Sequence, residues 1–282
     1  MSYTLHDLLL DVYGELGMLQ VKAATGGATT YATVSDMAQI GIKDSYKNGC
    51  LFVVKDSAGL GAAPEGEFNR ITEYDHITGK FTTSAFTAAI ATGDEVGFTR
   101  PNPWPLLDMI QITNRALKKL GDLTLVDTTT LDTVAEQTEY EQSLTWKHRS
   151  PIRIDIQGKT TDSDDNQWER MYEGTWEVVP ATAGSTGLIV FRDQPLAERG
   201  LRIWYRDRHP WVDEASDVIA ETIHPSVAKY AVIEAAVMQA YNREQTDEWR
   251  EKMNFYTNEY INARRQNPIQ KFGRKGKIFQ SW

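Results

Sequence analysis

The sequence predicts an α+β protein in which a discontinuous antiparallel bundle of about four helices carries two β-rich insertions and ends in an extended C-terminal arm. Three observations lead to that expectation. Four stretches, the last two in close succession, repeat apolar residues at three- and four-residue steps. The chain between them changes to two-residue alternation with Thr, Val and Gly punctuation. The final stretch, 267–282, mixes aromatics with Lys271, Arg274, Lys275 and Lys277 and has no acid. Each amphipathic helix is too short to be stable alone, so one bundle drawn from distant parts of the chain is the economical way to bury all four stripes.

The first bundle helix falls within residues 1–23. Thr4 caps it, Asp7 sits where a side chain reaches back, and Leu5, Leu8, Leu9, Val12, Tyr13 and Leu16 form its stripe before Gly17. The first β-rich insertion is 24–100, with strands expected at 50–55, 68–74, 80–83 and 95–98 and a hairpin turn at 75–79. The second helix lies in 101–121, admitted by Pro101, Pro103 and Pro105 and striped by Leu106, Ile110, Thr113, Leu117 and Leu120. Asn114 and Arg115 read as solvated or bundle-edge positions.

The second insertion, 122–222, reads as a sandwich or small barrel. It has strands at 152–156, 176–179, 188–191 and 201–205, and Arg153 and Asp155 lie on the face opposite the apolar one. A helix hairpin follows at 223–266. Its first helix starts near Pro225, and its second is capped by Thr246, with Asp247 and Glu248 in the first turn and the stripe Trp249, Met253, Tyr256, Tyr260. Arg264 and Arg265 suit the negative end of that helix dipole. Residues 267–282 form the arm.

Of the 282 residues, 41% are hydrophobic and 24% charged, the composition of an ordinary globular protein. No apolar run approaches the roughly 20 residues needed to cross a bilayer, so no membrane partner is expected. The N-terminus lacks a basic n-region and its Leu8–Leu10 run is broken by Asp11, so no secretory leader is expected and assembly belongs in a cytoplasm. The net charge is -9. The arm carries four bases and no acid, which leaves -13 on the rest. An acidic body argues against a general nucleic-acid binder.

Chemistry finds little footing. Cys50, in an apolar run, reads as core, and a single cysteine allows no disulfide framework. Ala24-Thr25-Gly26-Gly27-Ala28-Thr29 lacks the lysine and the following helix of a phosphate loop. None of His6, His76, His148, His209 and His224 has an i, i+4 partner. Asp162, Asp164 and Asp165 read as a solvated hairpin tip in preference to a calcium loop, since the bend glycine and final glutamate of that loop are missing. Trp168, Tyr172, Trp176, Trp204, Tyr205 and Trp211 raise carbohydrate stacking as an alternative function, that of a recognition module of a phage tail, although Trp176 and Trp204 sit in apolar patterns and read as core. No enzyme activity, cofactor or metal is expected.

The order of elements resembles the head-to-tail adaptor, or connector, proteins of tailed bacteriophages, including gatekeeper and tubular tail proteins. The resemblance lies in the bundle with β insertions, the closing hairpin at 225–265 containing Tyr230-Ala231-Val232-Ile233-Glu234-Ala235-Ala236, and the extended tail. It implies a virion protein of the head-tail junction, with about a dozen copies in a ring, docked under the portal protein and joined to tail proteins. DNA passes through the lumen without specific binding, for which an acidic lining is suited. It also implies that the arm grips the portal or a neighbouring subunit. The residues assigned to that grip are Arg264, Arg265, Lys271, Phe272, Arg274, Lys275, Lys277, Phe279 and Trp282, with Ile269 and Ile278 among the arm's apolar residues and Gly273 and Gly276 keeping it extendable.

Overall fold

A computed structural model describes residues 2–128, 131–142, 151–158, 168–180, 182, 186–195 and 199–269. The chain divides into two units, one formed by the chain up to Leu120 with His209–Ile269, the other by Gly121–Arg208.

In the first unit, helix α1 (Leu5–Glu15) opens with a reciprocal cap. Thr4 Oγ1 accepts from the Asp7 backbone N–H, while the Asp7 carboxylate accepts from the Thr4 N–H. Seven short strands follow: β1 (Gln20–Ala23), β2 (Gly26–Ala28), β3 (Tyr31–Thr33), β4 (Cys50–Lys55), β5 (Phe68–Asp75), β6 (Lys80–Thr83) and β7 (Glu95–Phe98). They form one antiparallel sheet in the order β1-β7-β4-β5-β6-β3-β2. Its two end strands are consecutive halves of one bent run, joined by Ala24 and Thr25, so the sheet curls back on itself as a small barrel. At the bend the Ala24 N–H donates to the Asp94 carbonyl and the Thr25 N–H to the Thr33 carbonyl. Leu51, Val53, Ile71, Tyr74, Phe81, Val96 and Phe98 fill the interior, with Tyr46 set edge-on to three of the rings. Gly79 closes the β5–β6 turn at φ +68°, and a Cβ there would stand 2.3 Å from the Val34 carbonyl oxygen.

Helix α2 (Leu106–Lys119) follows the barrel, and the helices α3 (Pro225–Glu244) and α4 (Asp247–Gln266) complete the unit. Pro225 occupies the first turn of α3, where its missing N–H costs nothing. Helix α3 touches α1, α2 and α4, and Val227, Ala228, Ala231, Val232, Ile233, Ala236, Val237 and Ala240 are buried along it. A helix surrounded in this way needs small and branched apolar residues on nearly every side.

The second unit contains β8 (Leu123–Asp127), β9 (Glu139–Glu141), β10 (Arg153–Gln157), β11 (Trp168–Arg170), β12 (Trp176–Val179), β13 (Leu188–Phe191) and β14 (Leu201–Asp207). They make a four-stranded sheet, β11-β10-β14-β8, and a three-stranded sheet, β12-β13-β9. Tyr140, Ile189 and Phe191 from the smaller sheet and Ile154, Leu201, Ile203 and Tyr205 from the larger share one core. The two sheets therefore face each other as a sandwich.

These observations overturn the expected helical bundle with β insertions. Among the described residues the protein is β-rich, with 14 strands in three antiparallel sheets and four helices. The physical reason lies at β4. Its inward residues Leu51 and Val53 belong to the barrel core, while Cys50 and Phe52, on the opposite face, are equally buried. Phe52 meets the His6 and Tyr13 rings of α1 at centroid distances of 5.6 and 6.1 Å. The α1 stripe is thus covered in part by the outer surface of a sheet, and an apolar stripe does not specify whether helix or sheet will cover it.

Candidate assembly surfaces

Arg264 and Arg265 are exposed in the last turn of α4, and Arg264 Nη1 donates to the Tyr260 hydroxyl at 3.2 Å. The exit from that helix is anchored. The Asn267 side-chain amide donates to the Ser226 Oγ and the Ala263 carbonyl, both at 3.3 Å, which ties the end of α4 to the start of α3. Lys271, Phe272, Arg274, Lys275, Lys277, Phe279 and Trp282 lie outside the described residues, as do Asp162, Asp164 and Asp165.

Helix α4 is covered on one side only. Of its 20 residues Ala263 alone is buried; the expected stripe Trp249, Met253, Tyr256 and Tyr260 is half-buried, and Phe255 remains 56% exposed. Trp249 packs edge-on against Trp104 at 5.6 Å and donates from Nε1 to Glu244 at 2.8 Å. Near its middle, the Tyr256 hydroxyl donates to the Glu15 carbonyl, and Lys229 of α3 meets the Glu15 carboxylate at 3.1 Å. Burial opposes the charge on Lys229, but the bond to Glu15 outweighs it and holds its pKa above the usual lysine value.

The outward faces of the sandwich carry opposite charge. On the larger sheet, antiparallel register aligns Arg170, Asp155 and Arg202 in one row and Arg153, Trp204 and Val126 in the next. Directly opposed residues share a face. Asp155 is buried, bound by Arg153 Nε at 2.5 Å and by Trp204 Nε1 at 2.8 Å. The Arg202 guanidinium lies over the Trp168 ring at 3.8 Å from its centroid, and that of Arg153 over Trp204 at 5.4 Å. Gly200 admits the Trp168 ring, since a Cβ there would come within 3.2 Å of it. On the smaller sheet the rows read Glu177, Val190, Glu139 and Val179, Leu188, Glu141. All three glutamates are exposed, and none meets a cation among the described residues.

Several expectations change here. Trp204 lies on the outward face instead of the core, whereas Trp176 is partly buried against the core. Asn114 is buried, not solvated: its amide donates to the Ile110 and Val212 carbonyls and its Oδ1 accepts from the Val212 N–H. Arg115 is exposed. Cys50 is buried and burial raises its thiol pKa well above the usual value. The described residues contain no group of three or more His, Cys, Asp and Glu able to hold a metal ion, and no helix long and apolar enough to cross a membrane. The basic sheet face was missed as a surface, although the alternation in Arg153-Ile154-Asp155-Ile156 and Leu201-Arg202-Ile203-Trp204-Tyr205-Arg206 already places its arginines together on each strand. Compared with known proteins, the chain matches no family model and no curated protein.

Proposed function

We propose that the chain is a non-enzymatic structural subunit of a viral head-to-tail connector ring, docking under a portal protein and joining it to the tail while leaving a channel for DNA. The observation that carries this reading is α4: a helix of 20 residues with one buried side chain and an exposed Phe255 leaves a face for a second body to cover. Arg264 and Arg265 project from the end of that helix, where the basic, aromatic arm begins. An arm with Phe272, Phe279 and Trp282 set among bases has the composition of a segment that orders on docking.

The test is negative-stain microscopy and light scattering of the purified chain, alone and with a portal protein, beside a chain lacking 268–282. Rings or portal complexes that are lost with the deletion support the reading. A monomer indifferent to portal, or one that binds glycans, sinks it. Duplex DNA is expected to bind the isolated subunit weakly at physiological salt, given the -9 net charge, and tight retention in a filter assay would count against a DNA-passing role.

A further inference from the structure

We propose that successive copies of this chain meet through their sandwiches, the basic, tryptophan-bearing face of one copy packing on the glutamate face of the next; this deepens the ring reading and rests on it. The argument starts from sorting. Arg153, Arg170, Arg202 and Arg206 all sit on the outward side of the larger sheet; the one acid facing outward on its strands is the buried Asp155, and Glu173, just beyond β11, meets Arg170 at 3.0 Å. The outward side of the smaller sheet holds Glu139, Glu141 and Glu177 and no base, interleaved with Val179, Leu188 and Val190. The two faces lie on opposite sides of one core. A face that is basic cannot pair with itself, and neither can the acidic one. A second copy, presented head to tail, supplies the complement to both.

That arrangement is heterologous, and heterologous contacts propagate: every copy offers one face and accepts the other, so the assembly closes into a ring or extends until it does. Opposite potentials guide the approach and exclude the inverted docking, in which like charges would be juxtaposed. Arg and Trp on one side and aliphatic rows on the other provide apolar area beneath the charges.

A single-stranded nucleic acid is the competing occupant of a surface with arginines and tryptophans. The geometry disfavours it. Stacking a base needs an open ring face, and here Arg202 lies over Trp168 and Arg153 over Trp204. The glutamate face behind the same thin sandwich would also have no role in such a complex.

The experiment uses the full chain with exposed residues reversed: a basic-face variant, Arg170→Glu with Arg206→Glu, and an acidic-face variant, Glu139→Arg with Glu177→Arg. Sedimentation velocity should show wild-type assemblies that dissociate as salt is raised. Each variant alone should be monomeric, its self-association weakened at least about a hundredfold. Mixed together, the two should associate again, because the two unaltered faces still match and the two reversed faces, now Glu against Arg, restore opposite charges across the same contact. Rings that survive both reversals, or a mixture of the two variants that stays monomeric, overturn the sandwich contact while leaving the ring reading standing. A wild-type chain that stays monomeric overturns both. Wild-type binding of a labelled single-stranded oligonucleotide, lost in the basic-face variant, also overturns it by giving that face to nucleic acid. Should the basic-face variant fail to fold, the acidic-face variant, whose changes are all at exposed positions, decides alone.

Discussion

Replacing Asn114 by alanine removes three hydrogen bonds at once and leaves both the N–H and the C=O of Val212 buried without a partner. The expected loss is about 2–4 kcal/mol, each unsatisfied buried group costing about 1–3 kcal/mol, measured as a fall in urea midpoint with unchanged slope. A loss within a few tenths of a kcal/mol would mean that water replaces the amide. His209 is a second buried residue whose tautomer matters. Its Nδ1 donates to the Pro210 carbonyl at 2.8 Å and its Nε2 accepts from the Ala220 N–H at 3.1 Å, so the neutral ring satisfies both, and protonation would set two donors against each other. Burial lowers its pKa, with the Pro210 bond opposing. A folded pKa below the unfolded one gives stability that is present above about pH 6.5 and lost as pH falls through the folded value. Unfolding measured across that window should steepen in wild type relative to His209→Gln, whose amide oxygen can still accept from Ala220, and identical profiles would remove His209 as the cause. Neither role is legible in the sequence: Asn114 lies on a polar-looking helix flank, and its partner is 98 residues away.

At the scale of the element, the helices and many strands were readable because their signals are local. The cap at Thr4 and Asp7, proline in the first turn of α3 and the threonine before α4 all stand where a cap is needed. Thr4→Ala is expected to cost about 1 kcal/mol, read as a lowered melting temperature. The strands β1, β2, β3, β8, β9 and β11 escaped detection, whereas the equally short β6, β7, β12 and β13 were marked by neighbouring turn residues or by an apolar run. Helix α4 carries its own prediction. Held on one side, its amides should exchange with deuterium faster than those of α3 in the dissociated chain and gain protection on assembly. Equal exchange of α4 before and after assembly would mean that its open face stays open.

Across the whole molecule, the barrel core and the sandwich core fall in different compact units, which implies two cooperative units. Phe81→Ala empties part of the barrel and Ile203→Ala part of the sandwich, with costs of about 3–5 and 2–5 kcal/mol respectively. Calorimetry should show two transitions, with each substitution lowering a different one. A single transition lowered equally by both would show that the units unfold as one.

What the sequence determined by itself was the position of each helix, of eight of the strands and of the caps, because periodicity, turn residues and capping act over a few neighbouring residues. It also determined which residues of a strand share a face. Only the tertiary structure decided what covers each face. The stripe of α1 is satisfied equally well by a helix or by the back of a sheet, and Phe52, buried on the outside of the barrel, took part of that place. Closure of the barrel through the bend at Ala24 and Thr25, and the gathering of arginines from three strands on one sheet while glutamates gather on the other, depend on which strands become neighbours. That choice is made by long-range packing, of which a local pattern carries no record.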